Sequence, residues 1–168
     1  MNNIKLTYEY TLSSIKSVSE RIDKINTEFA VVLAFTGALA NFGKDLPSYL
    51  LFASENARQP CLTCYLLKLI AYTLIIITIA ICLWGLLPSE TGKIVLPEQL
   101  LTEEWNLAKE EDYMTALIQY LEQETLLPLS KVRDQKFRKL IWAVPTVAAS
   151  GILMGLDEIM VVIFSTLK

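Results

Sequence analysis

From residue 69 to residue 87 the chain carries no charged side chain, a run of about 19 residues, which is the length of helix that crosses the hydrocarbon core of a bilayer. Trp84 near its end is the amphipathic ring that favours a membrane interface, and Pro88 closes the run. A second apolar stretch covers 140–167, where Pro145 is expected to kink a membrane helix whose neighbours satisfy the freed carbonyl. A third, 29–42, is short, because its residues rise only about 21 Å against a core of roughly 30 Å. Ile25 to Glu28 can lie at the interface and lengthen it, and Ala30, Ala34 and Ala38 with Gly37 form a small-residue strip suited to close helix packing in lipid. The fold class expected is therefore all-α: an integral membrane helical protein with three transmembrane helices and a cytoplasmic helical section between the second and third.

The remainder of the chain divides around those spans. Residues 1–28 form an amphipathic cytoplasmic segment, 29–87 two spans with a short outer loop, 88–139 the cytoplasmic helical section and 140–168 the third span. Residues 4–43 read as one long helix, with Ile15, Val18, Ile22, Ile25 and Phe29 forming a seam at 3,4 spacing. That seam fits packing on the protein's own helices or a coiled coil between subunits. Gly43 and the 45–47 run are expected to end this helix, and 48–57 to form a short interfacial helix with Tyr49, Leu50 and Phe52 in the headgroup region. In the section that follows, Pro97 suits the first position of a helix whose early turns carry Glu98, Glu103 and Glu104. Leu101, Trp105 and Ala108 share one face. Met114, Leu117, Ile118 and Leu121 continue an apolar face until Pro128, which is expected to interrupt it before a further helix begins near Leu129. Gly151 and Gly155 make a GxxxG helix-association pattern.

Composition excludes several functions. Histidine is absent, which removes His-based acid–base catalysis, His metal sites and Ser–His or Cys–His nucleophile pairs. The net charge of -3 is not the basic footprint of a nucleic-acid binder. Cys61 and Cys64 form a CxxC, and Cys82 lies about 27 Å deeper along the same helix, too far to act as a second thiol for that pair. With neither histidine nor a second pair there is no zinc set. These cysteines read as structural or incidental, with an outward-facing thiol enzyme as the rival reading. No metal, cofactor or catalytic residue is expected. The polar first 28 residues do not resemble a secretory signal, whose leading region is short and basic.

Basic residues set the expected orientation. Lys5, Lys16, Arg21 and Lys24 precede the first span, and Lys131, Arg133, Lys136, Arg138 and Lys139 crowd the approach to the third, while Lys44, Arg58 and Lys168 lie on the opposite side. The N-terminus and long loop are thus expected in the cytoplasm and the C-terminus outside. This places Lys68 roughly 28 Å and Asp157 roughly 26 Å from the inner face, at one depth, so that Lys68 is expected to pair with Asp157 or Glu158. Snorkelling of each charge to the outer headgroups is the alternative. The basic 131–139 run fits an anion site or a purely topological role; the acidic 103–112 stretch reads as a solvated helix face.

The order of parts resembles a known family. Arg21-Ile22-Asp23-Lys24 precedes a short first span, a second span closes in Leu83-Trp84-Gly85-Leu86-Leu87-Pro88, and a helical section ends in Lys131-x-Arg133-x-x-Lys136-Phe137-Arg138-Lys139-Leu140-Ile141-Trp142-Ala143. This is similar to the transmembrane effectors of Pycsar anti-phage systems, and more loosely to other small bacterial second-messenger membrane effectors. The likeness covers most of the chain as architecture and is carried by sequence over about 15–45 and 113–150. The short first span, the acidic Asp157 and Glu158 and the CxxC depart from it. The resemblance implies a multi-pass protein of the bacterial inner membrane. Its cytoplasmic part would sense a cyclic pyrimidine nucleotide from a partner cyclase, and its membrane part would impair membrane integrity. No ligand-contact motif carries over with it. The candidate nucleotide contacts are chosen by chemistry, as an aromatic stack with Arg–phosphate pairing: Trp105, Tyr113, Lys131, Arg133, Lys136 and Arg138. A homo-oligomer in the lipid bilayer is expected. The rival function is a small structural or accessory subunit of a larger membrane complex.

Overall fold

The computed structural model describes residues 3–45, 62–88 and 108–166. Every regular element among them is helical: α1 (Ile4–Asp45), α2 (Leu62–Leu86), α3 (Glu110–Tyr120), a π-helical turn (Leu121–Leu126) and α4 (Leu127–Thr166). Three helical stretches, Ile4–Gly43, Tyr65–Leu86 and Glu110–Met160, are long and apolar enough to cross a membrane. The all-helical, three-span architecture expected from the sequence is the one found. The expected interfacial helix at 48–57, and Pro97, Leu101 and Trp105, lie outside the described residues.

The chain forms two compact units. One comprises Met1–Asn26 with Leu87–Arg138, the other Thr27–Leu86 with Lys139–Lys168. In the first unit, Thr11, Val18 and Ile25 are buried at seven-residue steps along α1, with Ile15 and Ile22 half-buried beside them. The seam is thus covered within a single chain.

The second unit packs in levels. Phe29, Thr36 and Gly43 of α1, Gly85, Thr78 and Ala71 of α2, and Leu140, Val147 and Met154 of α4 are all buried, each set at steps of seven. That period keeps one face of each helix on its neighbours, and successive levels lie about 10 Å apart. At one end the Phe29 ring fills the space in front of Gly85; at the other, Gly43 faces the Met154 side chain and the Tyr72 hydroxyl. Large meets small at both ends. Ala71, Ile75 and Met154 form an apolar cluster, with Leu39, Ala40, Tyr72, Ile79 and Leu153 packed against it. These contacts run α1 antiparallel to α2 and parallel to α4.

The outside of this unit is apolar: Val31, Phe35, Ile76, Trp142 and Ile152 are all more than half exposed. Its interior holds Thr36, Thr78, Ser150 and Asp157. Lipid selects such an outside, because only in lipid does packing leave apolar side chains outward at no hydration cost.

The first helix runs to Asp45, inside the stretch expected to end it, and Gly43 there presents a flat surface to Met154 and Tyr72. One expected break is absent. Pro128 does not interrupt the helix from Glu110 onward. The π-helical turn before it is wider, and the Leu127 amide reaches back five residues to the Glu122 carbonyl. That opening relieves the clash between the proline ring and the preceding turn that would otherwise break the helix. Pro145 also lies within α4.

Candidate functional site

In the second unit, each span brings hydroxyl groups inward. Thr36 donates to the Val32 carbonyl at 2.7 Å, Thr78 to Leu74 at 2.8 Å and Ser150 to Val147 at 2.8 Å. Bonding back to the helix's own carbonyls is how a hydroxyl is tolerated away from water. Thr78 also reaches across to the Thr146 hydroxyl at 2.9 Å, joining α2 to α4. Thr146 follows Pro145 and lies 3.0 Å from the Trp142 carbonyl and 2.8 Å from that of Ala143, so its hydroxyl serves the stretch of helix that the proline weakens.

Asp157 stands one turn beyond Met154 and is only 3% exposed. Its Oδ1 is buried with no hydrogen-bond partner among the described residues. The charges that act on it are those of Lys68, half-buried on α2, and Glu158, exposed beside it. Lys68 and Asp157, expected at one depth, therefore act on one another electrostatically.

The small residues fall on two sides. Gly151 lies within ordinary contact of Leu39, while a side-chain carbon added at Gly155 would meet open space. Ala30, Ala34 and Ala38 are exposed. The close approaches among the described residues are made by Gly43 and Gly85, neither of which lies in a small-residue helix-packing pattern.

The candidate nucleotide contacts among the described residues do not all lie together. Tyr113 is half-buried on α3, 18 positions before Lys131 along a helix unbroken between them, which separates the two by about 27 Å. The break expected at Pro128 is absent between them. Lys131 and Arg138, seven apart, share an exposed face of α4. Arg133 is turned to its neighbour Asp134, its Nε at 2.9 Å and Nη2 at 2.8 Å from Oδ1. Lys136 is buried, 7% exposed, and donates to the Asn26 side-chain oxygen at 3.0 Å. It is a strut of the first unit. Trp105 lies outside the described residues, as does Cys61, while Cys82 is a buried free thiol.

Sequence reasoning missed the hydroxyl level. The signal was present, since Thr36 and Thr78 fall seven residues from Phe29 and Gly85 on the same helical faces. It also missed the Lys139 ammonium, which donates to the Trp84 carbonyl at 3.1 Å where α2 ends. Among the described residues no cluster of three or more metal-ligating groups occurs.

Residues 10–166 match the model of one protein family, PycTM, described as the Pycsar effector protein domain. No curated protein and no solved structure matches the chain.

Proposed function

The chain belongs to the Pycsar effector family, and from that premise we propose that it is a non-enzymatic membrane effector of anti-phage defence. Its first unit senses a cyclic pyrimidine nucleotide, and its second impairs membrane integrity once the nucleotide binds. The observation that carries this reading is the family match over residues 10–166. The apolar outside of the second unit supports the membrane half of it, since outward apolar side chains are what lipid selects.

The protein resides in the bacterial inner membrane, with its N-terminus and residues 88–139 in the cytoplasm and its C-terminus outside. The basic residues gathered at 5–24 and 131–139 support that placement. Phosphate contacts come from the exposed face that carries Lys131 and Arg138, with Arg133 at its edge. Any stacking by Tyr113 on the same nucleotide comes from another copy, because within one chain it lies too far away. The protein acts as a homo-oligomer. Ala30, Ala34 and Ala38, exposed and four apart, offer the small-residue face on which copies approach closely in lipid.

A ligand shifts such an equilibrium only by binding one state better than the other. Titration calorimetry of the purified full-length protein in detergent against cyclic CMP and cyclic UMP is expected to show binding to one of them. Addition of that nucleotide to cells making the protein, through a co-expressed cyclase, is expected to collapse the membrane potential. Absence of heat with both nucleotides would overturn the sensing half, and an intact potential the membrane half.

A further inference from the structure

The interior of the second unit changes character along its axis. On α2 the inward positions run Lys68, Ala71, Ile75 and Thr78, in steps of 3, 4 and 3; on α4, in the opposite direction, they run Asp157, Met154, Ser150 and Val147 with the same steps. The two helices are antiparallel, so these positions lie level in pairs. A charged level, Lys68 with Asp157, is followed by an apolar level of Ala71, Ile75 and Met154, and then by hydroxyls, with Ser150 nearest and Thr78 and Thr146 bonded across the helices. Met154 is 1% exposed, and Leu39 and Ala40 of α1 pack against its cluster, so all three spans close around it.

A buried carboxylate oxygen with no hydrogen-bond partner is costly in a membrane, and a leucine would fill a similar volume without that cost. Packing alone does not account for it. Carboxylate and hydroxyl oxygens are acceptors suited to cations, and an apolar constriction between polar levels closes a path by excluding water. We propose that Asp157 is the cation-selecting site of a transmembrane path that the Ala71–Ile75–Met154 level and, at the other end, the Phe29 ring before Gly85 hold shut. In the closed state the Lys68 charge offsets that of Asp157; with the apolar level parted, a proton or alkali cation takes over this role and continues along Ser150, Thr146 and Thr78. This rests on the proposed membrane-impairing function and adds what passes, where it is selected and what blocks it.

The test uses the full-length protein in phospholipid vesicles without nucleotide, in a Phe29→Ala background that clears the other end, with Met154→Ser as the opener and Ile75→Thr as a second opener on the facing helix should the first fail to fold. Either opener is expected to raise cation leak at least about tenfold over the unaltered protein, with potassium-to-chloride preference read from the reversal potential. Adding Asp157→Asn is expected to abolish that preference, and Asp157→Glu to retain it. A pH-sensitive dye inside the vesicles separates protons from potassium, either of which satisfies the proposal. Openers that pass chloride preferentially, or a preference unchanged by Asp157→Asn, would overturn the assignment of Asp157. Openers that remain tight, while the unaltered protein still collapses the potential of cells making the nucleotide, would overturn the path but not the effector role. If the unaltered protein leaves that potential intact, the effector reading itself fails.

Discussion

The Lys139 ammonium lies 4.6 Å from the centroid of the Trp84 ring and donates to the Trp84 carbonyl at 3.1 Å. Both contacts fall where α2 ends at Leu86, so the carbonyl is one that the helix itself leaves without an amide. A cation there also meets the negative end of the helix dipole. One side chain at the start of the third span thus closes the end of the second and covers the face of its interface aromatic.

Lys139→Met, which keeps the apolar stem, and Trp84→Leu are each expected to lower the melting temperature in detergent micelles. The double variant is expected to lose less than the sum, by about 1 kcal/mol, because the ring contact is counted in both single changes. Simple additivity in thermal unfolding followed by circular dichroism would show that the ring contact contributes nothing.

Two glycines behave oppositely to what motif reading implies. A side-chain carbon at Gly85 would overlap the Phe29 ring, which is fully buried and has nowhere to retreat. Gly85→Ala is expected to cost about 1–3 kcal/mol, and Phe29→Leu to recover part of that by making room. Gly155→Ala, in open space, is expected to be neutral or to stabilise by up to about 1 kcal/mol through helix propensity. Comparable losses at both positions would contradict the packing described here.

The contrast shows what the sequence could and could not display. Charge-free length made the second span legible, and 3,4 spacing made the Val18, Ile25 and Phe29 seam legible, because both signals are local and periodic. Pro128 was read as a stop for an equally local reason, its effect on an isolated helix, and the wide π-helical turn ahead of it overrides that. The closeness of Gly43 to Met154 and Tyr72 was not legible, because that contact joins distant parts of the chain. The candidate nucleotide residues were gathered by side-chain chemistry, which carries no distance, so a continuous helix between Tyr113 and Lys131 could not be foreseen. The depth match between Lys68 and Asp157 needed only helical rise. That Asp157 keeps an unpartnered oxygen could not be read from spacing, since it depends on which side chains surround one atom.

Lys131 and Lys136 are both lysines of one basic run and have different roles. Lys136 is buried on Asn26, and Lys136→Ala leaves a cavity where a charged donor stood, with an expected loss of about 1–3 kcal/mol. Lys131→Ala, on the exposed face, is expected to stay within about 0.5 kcal/mol. Calorimetric binding of a cyclic nucleotide is expected to follow the reverse order, weakened by Lys131→Ala and Arg138→Ala with melting unchanged. Equal thermal effects of the two lysine substitutions would remove the distinction between strut and surface.

Cys82 reports on the interior without perturbing it. Its thiol is fully buried, one turn from Thr78 on the same inward face of α2, and no water reaches it in the closed unit. Thiol reagents attack the thiolate, which forms only where water or a compensating charge is present. In protein carrying Cys61→Ser and Cys64→Ser, a small cationic thiol reagent is expected to leave Cys82 unlabelled. With Met154→Ser added, labelling is expected to appear, because water entering past the apolar level would hydrate the hydroxyls and reach the sulfur four residues beyond Thr78. Mass spectrometry of the intact chain reads the result directly. Labelling that is equally rapid in both proteins would mean that the interior is already wet, and that the Met154 level holds nothing closed.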